Sequence, residues 1–206
     1  MERVVVYIDG FNLYYGLRSC GWRRYYWLDL HRLSQNLLRP QQVLAAVHYF
    51  TARISPEPGD PDKPVRQSMY LEALATLPDL QIHYGYYVAR EQRCLSCGAT
   101  WRTYEEKMTD VNIAVELLSD AQDDAFDTAI VISGDGDLAS PVRAIRDRYP
   151  EKRAIVAFPP RRHSAALRGA ADGYFTVGRN VCRDSQFPDH VAKADGYVLT
   201  RPQRWK

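Results

Sequence analysis

The chain has 206 residues, 27 basic against 25 acidic side chains, a formal net charge of +2, and 46% hydrophobic residues. At ~100–200 residues per domain, this is one domain able to bury a sizeable core, which excludes a disordered chain, a fibrous repeat and a disulfide-stapled miniprotein. The net charge hides an asymmetry: residues 1–142 carry 13 cations and 19 anions, whereas 143–206 carry 14 and 6, and 22 of the 27 cations are arginine. Arginine presents a planar fork of donors that suits phosphate oxygens, although a GC-rich genome produces the same bias. The apolar run at residues 4–8 is too short for a signal peptide, and no window approaches the ~18 apolar residues of a membrane helix. A cytoplasmic location with no membrane partner is therefore expected, with Cys20, Cys94, Cys97 and Cys182 reduced.

Residues 4–8 are continuous, apolar and β-branched, the pattern of a strand buried on both faces. A helical stretch is predicted over 28–38 and a second strand over 43–50. Pro56, Pro58, Gly59, Pro61 and Pro64 mark a loop over 55–64. Apolar spacing at Met69, Leu71, Leu74, Ala75 and Leu77 predicts a helix that Pro78 terminates, and a third strand follows over 80–88. Residues 89–104, which hold Cys94 and Cys97, read as an irregular insert. Val111, Ala114, Val115 and Leu118 share one face of a helix predicted over 109–121. A fourth strand over 128–132, a helix over 138–148, a fifth strand over 154–158 and a short sixth over 174–177 complete the alternation. That order predicts an α/β, Rossmann-like fold, a parallel sheet covered by helices on both faces. Residues 1–177 are read as the domain and 178–206 as a basic C-terminal tail, packed on it or disordered.

The acids fall where such a fold builds its sites. Asp9 closes the first strand, and Asp135 and Asp137 follow the fourth in Ser133-Gly134-Asp135-Gly136-Asp137. Sites of open parallel sheets form beyond the carboxyl ends of the strands, where the strand order reverses. If the first and fourth strands are neighbours, three carboxylates meet there, with Gly10, Gly134 and Gly136 leaving room for a sharp turn and a substrate. Taken singly, each acid also reads as a turn residue or helix cap. Together they repel one another unless a cation binds, and an oxygen-rich site suits Mg²⁺ or Mn²⁺. The chemistry suggested is metal-assisted hydrolysis of a phosphate ester. Asp110 heads the helix after the third strand, either as a bland cap or as a fourth acid of the same crevice, with Lys107 and Thr109 placed to contact a phosphate.

Three stretches, Tyr7-Ile8-Asp9-Gly10-Phe11-Asn12-Leu13, Glu106-Lys107-Met108-Thr109-Asp110-Val111 and Ser133-Gly134-Asp135-Gly136-Asp137-Leu138, resemble the NYN domain of LabA-like proteins in the PIN-like nuclease superfamily. A fourth, from Phe158-Pro159-Pro160 through Ser164 and Leu167 to Ala171-Asp172-Gly173-Tyr174-Phe175, resembles that family's closing segment. The resemblance implies a three-layer α/β/α sandwich and Mg²⁺- or Mn²⁺-dependent RNA cleavage, with Asp9, Asp110, Asp135 and Asp137 as metal ligands. It makes Asn12 a polar helper near the metal or scissile phosphate and Ser133 the small polar residue before the Gly-Asp pair. Met108 departs from the pattern, standing where a small residue is expected.

Other signals are less specific. Cys94-Leu95-Ser96-Cys97-Gly98 is half of a zinc knuckle and needs two further ligands, from Cys20, Cys182, His83 or a second chain, so structural Zn²⁺ and a homodimer stay open. The aromatic and arginine cluster from Trp22 to Trp27 reads either as core or as a surface for stacking single-stranded RNA bases. Arg161, Arg162 and Ser164 follow the fifth strand, where a helix start beside two arginines would hold an anion. The expected function is an endoribonuclease acting on RNA; the alternative is a PIN-like RNA- or protein-binding module that cleaves poorly or not at all.

Overall fold

The computed structural model describes residues 1–56 and 59–206; Pro58 of the proline-rich loop lies outside them. Among the described residues, seven strands form one sheet: β1 (Glu2–Asp9), β2 (Gln42–Ala52), β3 (Leu80–Arg93), β4 (Thr100–Lys107), β5 (Thr128–Ile132), β6 (Arg153–Phe158) and β7 (Gly173–Thr176). Their spatial order is β4-β3-β2-β1-β5-β6-β7, parallel throughout except for the antiparallel edge strand β4. The helices are α1 (Gly10–Ser19), α2 (Leu30–Gln35), α3 (Lys63–Leu74), α4 (Thr109–Gln122), α5 (Ala139–Arg148), α6 (Ala165–Ala170) and α7 (Arg179–Asp184). No helix among the described residues is long and apolar enough to cross a membrane.

The central strands bury both faces, which is why they read as unbroken apolar runs. Val4, Val6 and Ile8 of β1 join a core with α1, α2 and α3, while Val5 and Tyr7 join a second core under α4, α5 and α6. The result is a mixed three-layer α/β/α architecture. From β1 the chain winds outward to β3, turns back as β4, and crosses through α4 to β5 on the other side of β1. The strand order therefore reverses between β1 and β5, whose residues pair up to Ile8 opposite Ile132.

Four sequence expectations are corrected. The insert at 89–104 is regular: β3 runs on to Arg93 and pairs with β4 from Tyr86 opposite Lys107 to Arg93 opposite Thr100. Gly98, at φ +72°, helps close its tip, where the Cys94 amide donates to Ala99 O at 2.8 Å. Helix α1 is additional to the predicted elements. The stretch over 28–38 contracts to α2, capped by Asp29, whose Oδ1 accepts from the Arg32 amide at 2.8 Å. Pro64 belongs to the first turn of α3 rather than to the loop.

The segment from Gly178 is folded onto the domain. It holds α7 and an antiparallel pair, β8 (His190–Ala192) and β9 (Val198–Thr200), and buries Cys182, Phe187, Val191 and Leu199 in the first core. Lys193 pairs with Glu72 and Arg204 with Asp60, so cations of the basic third tie the segment down. Within the Trp22–Trp27 cluster the packing reading prevails for Tyr25 and Trp27, which are buried; the Trp27 indole N–H donates to Pro188 O at 2.8 Å.

Candidate active site

Asp9 lies at the end of β1 and caps α1. Its Oδ1 accepts from the Asn12 amide at 3.0 Å, and its Oδ2 accepts from Asn12 Nδ2 at 2.6 Å and from the Ser133 hydroxyl at 2.8 Å. It is 2% exposed, and burial pushes its carboxyl up from the ordinary range despite these donors. Ser133 Oγ accepts in turn from the Asp135 amide at 3.0 Å, which joins the end of β1 to the loop after β5. Asp135 Oδ1 accepts from the Asp137 amide at 3.0 Å and caps the short 3-10 turn Gly136–Leu138, leaving the Asp137 side chain exposed.

Asp110 joins them from the first turn of α4. Burial, then the charges of Asp9, Asp135, Glu106 and Asp137, push its carboxyl up to about 6. The crevice at the strand reversal thus gathers the four predicted aspartates. It also gathers Glu106, a residue of the Glu106–Val111 stretch with no role expected from the sequence. Glu106 Oε1 accepts from the Thr109 amide at 3.1 Å and from the Thr109 hydroxyl. Between them Met108 turns the chain in the left-handed region, at φ +79°, which favours glycine. That backbone requirement explains why a small residue is expected there.

The remaining predicted residues divide by what they touch. Asn12 is buried; its Oδ1 accepts from the Gly134 amide at 3.3 Å and from Arg162 Nε at 3.2 Å, so it braces Asp9 while holding a guanidinium beside the acids. Arg162 also lies over the Tyr15 ring at 5.9 Å. Ser133 and Thr109 are buried with their hydroxyls turned to carboxylates, so they sit behind the acids rather than facing a substrate. Lys107 is paired with Glu105 at 2.7 Å, Arg161 donates to Ser19 O at 3.1 Å, and Ser164 caps α6 by accepting from the Leu167 amide at 3.2 Å. Gly10 and Gly134 serve close approach rather than a left-handed turn. A Cβ on Gly134 would stand 2.8 Å from the Arg162 backbone, and one on Gly10 would stand 2.7 Å from Phe50 O.

A cavity of about 500 Å³ opens beside Asp9, starting at Gly10 and Phe11. Tyr14, Tyr26, Tyr49 and Trp205 contribute aromatic walls, and Lys63 and Arg66 basic groups. At the hairpin tip the Cys94 thiol is pulled below its ordinary range by the Cys97 and Ser96 amides. No third metal-binding side chain of the described residues joins Cys94 and Cys97. His83, a candidate partner in the sequence reading, lies instead with His48 and Glu116, a group whose side chains can hold a divalent metal.

A central parallel sheet with helices on both faces, and acids at its strand reversal, define a PIN-like α/β/α protein. The NYN domain profile matches residues 3–179, and the chain belongs to the NYN domain family of the PIN-like nuclease superfamily. NYN domains are in general nucleases that act on RNA. The chain is also 29% identical over 188 positions to 6-hydroxy-3-succinoylpyridine 3-monooxygenase HspA of Pseudomonas putida, a match that takes in 75% of this chain and 59% of that protein. A crystal structure of a protein of unknown function from Vibrio parahaemolyticus shares the fold, with a TM-score of 0.53 and 20% identity, over 90% of this chain and 96% of that one.

Proposed function

We propose that this NYN domain is a Mg²⁺- or Mn²⁺-dependent endoribonuclease that acts on single-stranded RNA in the reducing cytoplasm. The observation that carries this reading is the convergence of four aspartates at the strand reversal, close enough that the charges of the other three add to burial in lifting the Asp110 carboxyl to about 6. Such a cluster is electrostatically unsatisfied, and its hard oxygen donors fit a divalent cation. Asp9, Asp110, Asp135 and Asp137 would hold the ion. When bound, it supplies polarisation of a phosphodiester and activation of the attacking water.

The chain's own residues do the rest. Asn12 holds Asp9 in one orientation and keeps the Arg162 guanidinium at the crevice, where it meets a phosphate oxygen. Ser133 and Thr109 fix the carboxylates from behind. The aromatic cavity beside Asp9 offers rings on which an unpaired base stacks. The test is incubation of the full chain with single-stranded RNA and Mn²⁺: wild type cleaves internally and Asp135→Asn does not. Equal cleavage by both at equal loading refutes the assignment. Binding that survives EDTA, with no product at any metal concentration, supports the binding-module alternative.

The same cavity favours a second reading. It is large enough for a small heteroaromatic acid, and the HspA relative is named for an oxidation of a hydroxypyridine. Calorimetry with 6-hydroxy-3-succinoylpyridine and with a dinucleotide separates the two: the nuclease reading requires the dinucleotide to bind more tightly.

A further inference from the structure

A second cluster of metal-binding side chains lies away from the aspartates, between α4 and the sheet. His48 comes from β2, His83 from β3, and Glu116 and Asp120, one turn apart on the same face, from α4. Glu116 is six residues beyond Asp110, roughly 9 Å further along the helix at 1.5 Å per residue. His48 is 4% exposed, stacked on Tyr7 with ring centroids 5.3 Å apart; His83 stacks on Phe50 at 4.6 Å. The rings are thus held by the core, while His83 and Glu116 keep an edge to solvent through which an ion can enter.

The hydrogen-bond arrangement leaves room for a cation. Asp120 Oδ2 accepts from the Tyr7 hydroxyl at 2.6 Å and lies 3.3 Å from His48 Nε2. With Nε2 donating to that carboxylate, His48 turns Nδ1 inward, the carboxylate–histidine pairing that orients metal-bound imidazoles. His48 Nδ1 is 2.9 Å from His83 Nε2. Glu116 faces this pair with Oε1 3.6 Å from His48 Nδ1 and Oε2 3.9 Å from His83 Nδ1, both too long for hydrogen bonds. Two imidazoles in contact and a carboxylate facing both without a hydrogen bond make a donor set that a cation would complete.

We propose that His48, His83 and Glu116 form a second, transition-metal site that takes Zn²⁺, with Asp120 as the residue that orients His48. Two imidazoles and a carboxylate are borderline donors that favour Zn²⁺ or Co²⁺ over Mg²⁺, which separates this site chemically from the all-oxygen cluster. Three protein ligands and a solvent edge leave a fourth position for water. At Zn–N distances of about 2.0–2.1 Å, two nitrogens 2.9 Å apart subtend about 90°, and a separation about 0.4 Å wider gives the tetrahedral angle. The ion would staple α4 to β2 and β3, fixing the helix that carries Asp110.

The site is tested independently of the nuclease reading by using Cys94→Ser/Cys97→Ser/Asp135→Asn as the starting protein, so that neither the thiols nor the aspartate cluster accounts for binding. Stripped of metal and titrated with Co²⁺, this protein is expected to bind one equivalent with visible d–d absorption that Zn²⁺ displaces. His83→Ala and Glu116→Gln, at partly exposed positions, are each expected to weaken Co²⁺ at least 100-fold, and Asp120→Asn 10–100-fold. Far-ultraviolet circular dichroism checks that each variant is folded, and for a variant that is not, the conservative His83→Gln takes its place. Failure of the starting protein to bind Co²⁺, or equal affinity in the folded His83 and Glu116 variants, overturns the site. Activity of the wild type has no bearing on either outcome.

Discussion

Replacing Asp110 with Asn is expected to stabilise the metal-free protein while abolishing cleavage. Burial and four neighbouring acids lift the Asp110 carboxyl from 3.8 to about 6. Two units at about 1.36 kcal/mol each give ~3 kcal/mol. The side chain is only half buried, and solvent screening reduces this to about 1–1.5 kcal/mol. A carboxyl whose pKa is raised by folding favours the fold when protonated. Its contribution is complete below about pH 4 and is lost as the pH rises through about 6. In EDTA at pH 7.5, Asp110→Asn removes that penalty and should unfold about 3 °C higher, at roughly 2–4 °C per kcal/mol for a chain of this size. Excess Mn²⁺ should reverse the ranking, because it stabilises the wild-type cluster by mass action. The assay is thermal unfolding at pH 5 and pH 7.5, with EDTA or Mn²⁺. If the variant is no more stable than wild type at pH 7.5 in EDTA, burial and the neighbouring acids do not penalise the Asp110 carboxylate as the geometry requires.

Three other outcomes are expected. Met108→Gly relieves a left-handed backbone whose cost for an L-residue is about 1–2 kcal/mol, less the added freedom of glycine in the unfolded chain, and should raise the unfolding free energy measured in urea by about 0.5 kcal/mol. Asn12→Ala strips Asp9 of a side-chain donor and Arg162 of its acceptor; it should lower stability by about 2 kcal/mol in urea titrations and remove cleavage together. RNA binding should weaken steeply with salt, and Arg162→Ala should lower affinity more than Arg204→Ala, because the Arg204 guanidinium is engaged by Asp60 on the segment that packs the C-terminus. Equal losses in filter binding would place the RNA path elsewhere.

Much of this fold was legible because its central strands are apolar on both faces. Residues 128–132 carry an unbroken signal, and β5 has those same limits. The arm formed by β3 and β4 was not, since both faces of its outer half meet water and nothing enforces alternation. Helix α1 was hidden because its strongest start signal, Asp9, reads equally as a site acid and is in fact both a cap and a member of the crevice. The four aspartates stood out by falling after strands or at a helix start. Glu106 did not, because its approach depends on the backbone turn at Met108. The pair of His48 and His83 was beyond reach of any spacing rule: 35 residues separate them, and only the pairing of β2 with β3 brings them together.

The double duty of Asp9 constrains how a protein of this kind can change. Loss of Asp110 or Asp137 relieves crowding and leaves the backbone bonded as before. Loss of Asp9 uncaps α1, frees the Asn12 amide and unties the Ser133 hydroxyl in one step. A descendant drifting from enzyme to mere binder would therefore shed its outer acids early and keep a hydrogen-bonding residue at position 9 long after chemistry had ceased. An aspartate there, by itself, is a record of folding rather than of turnover.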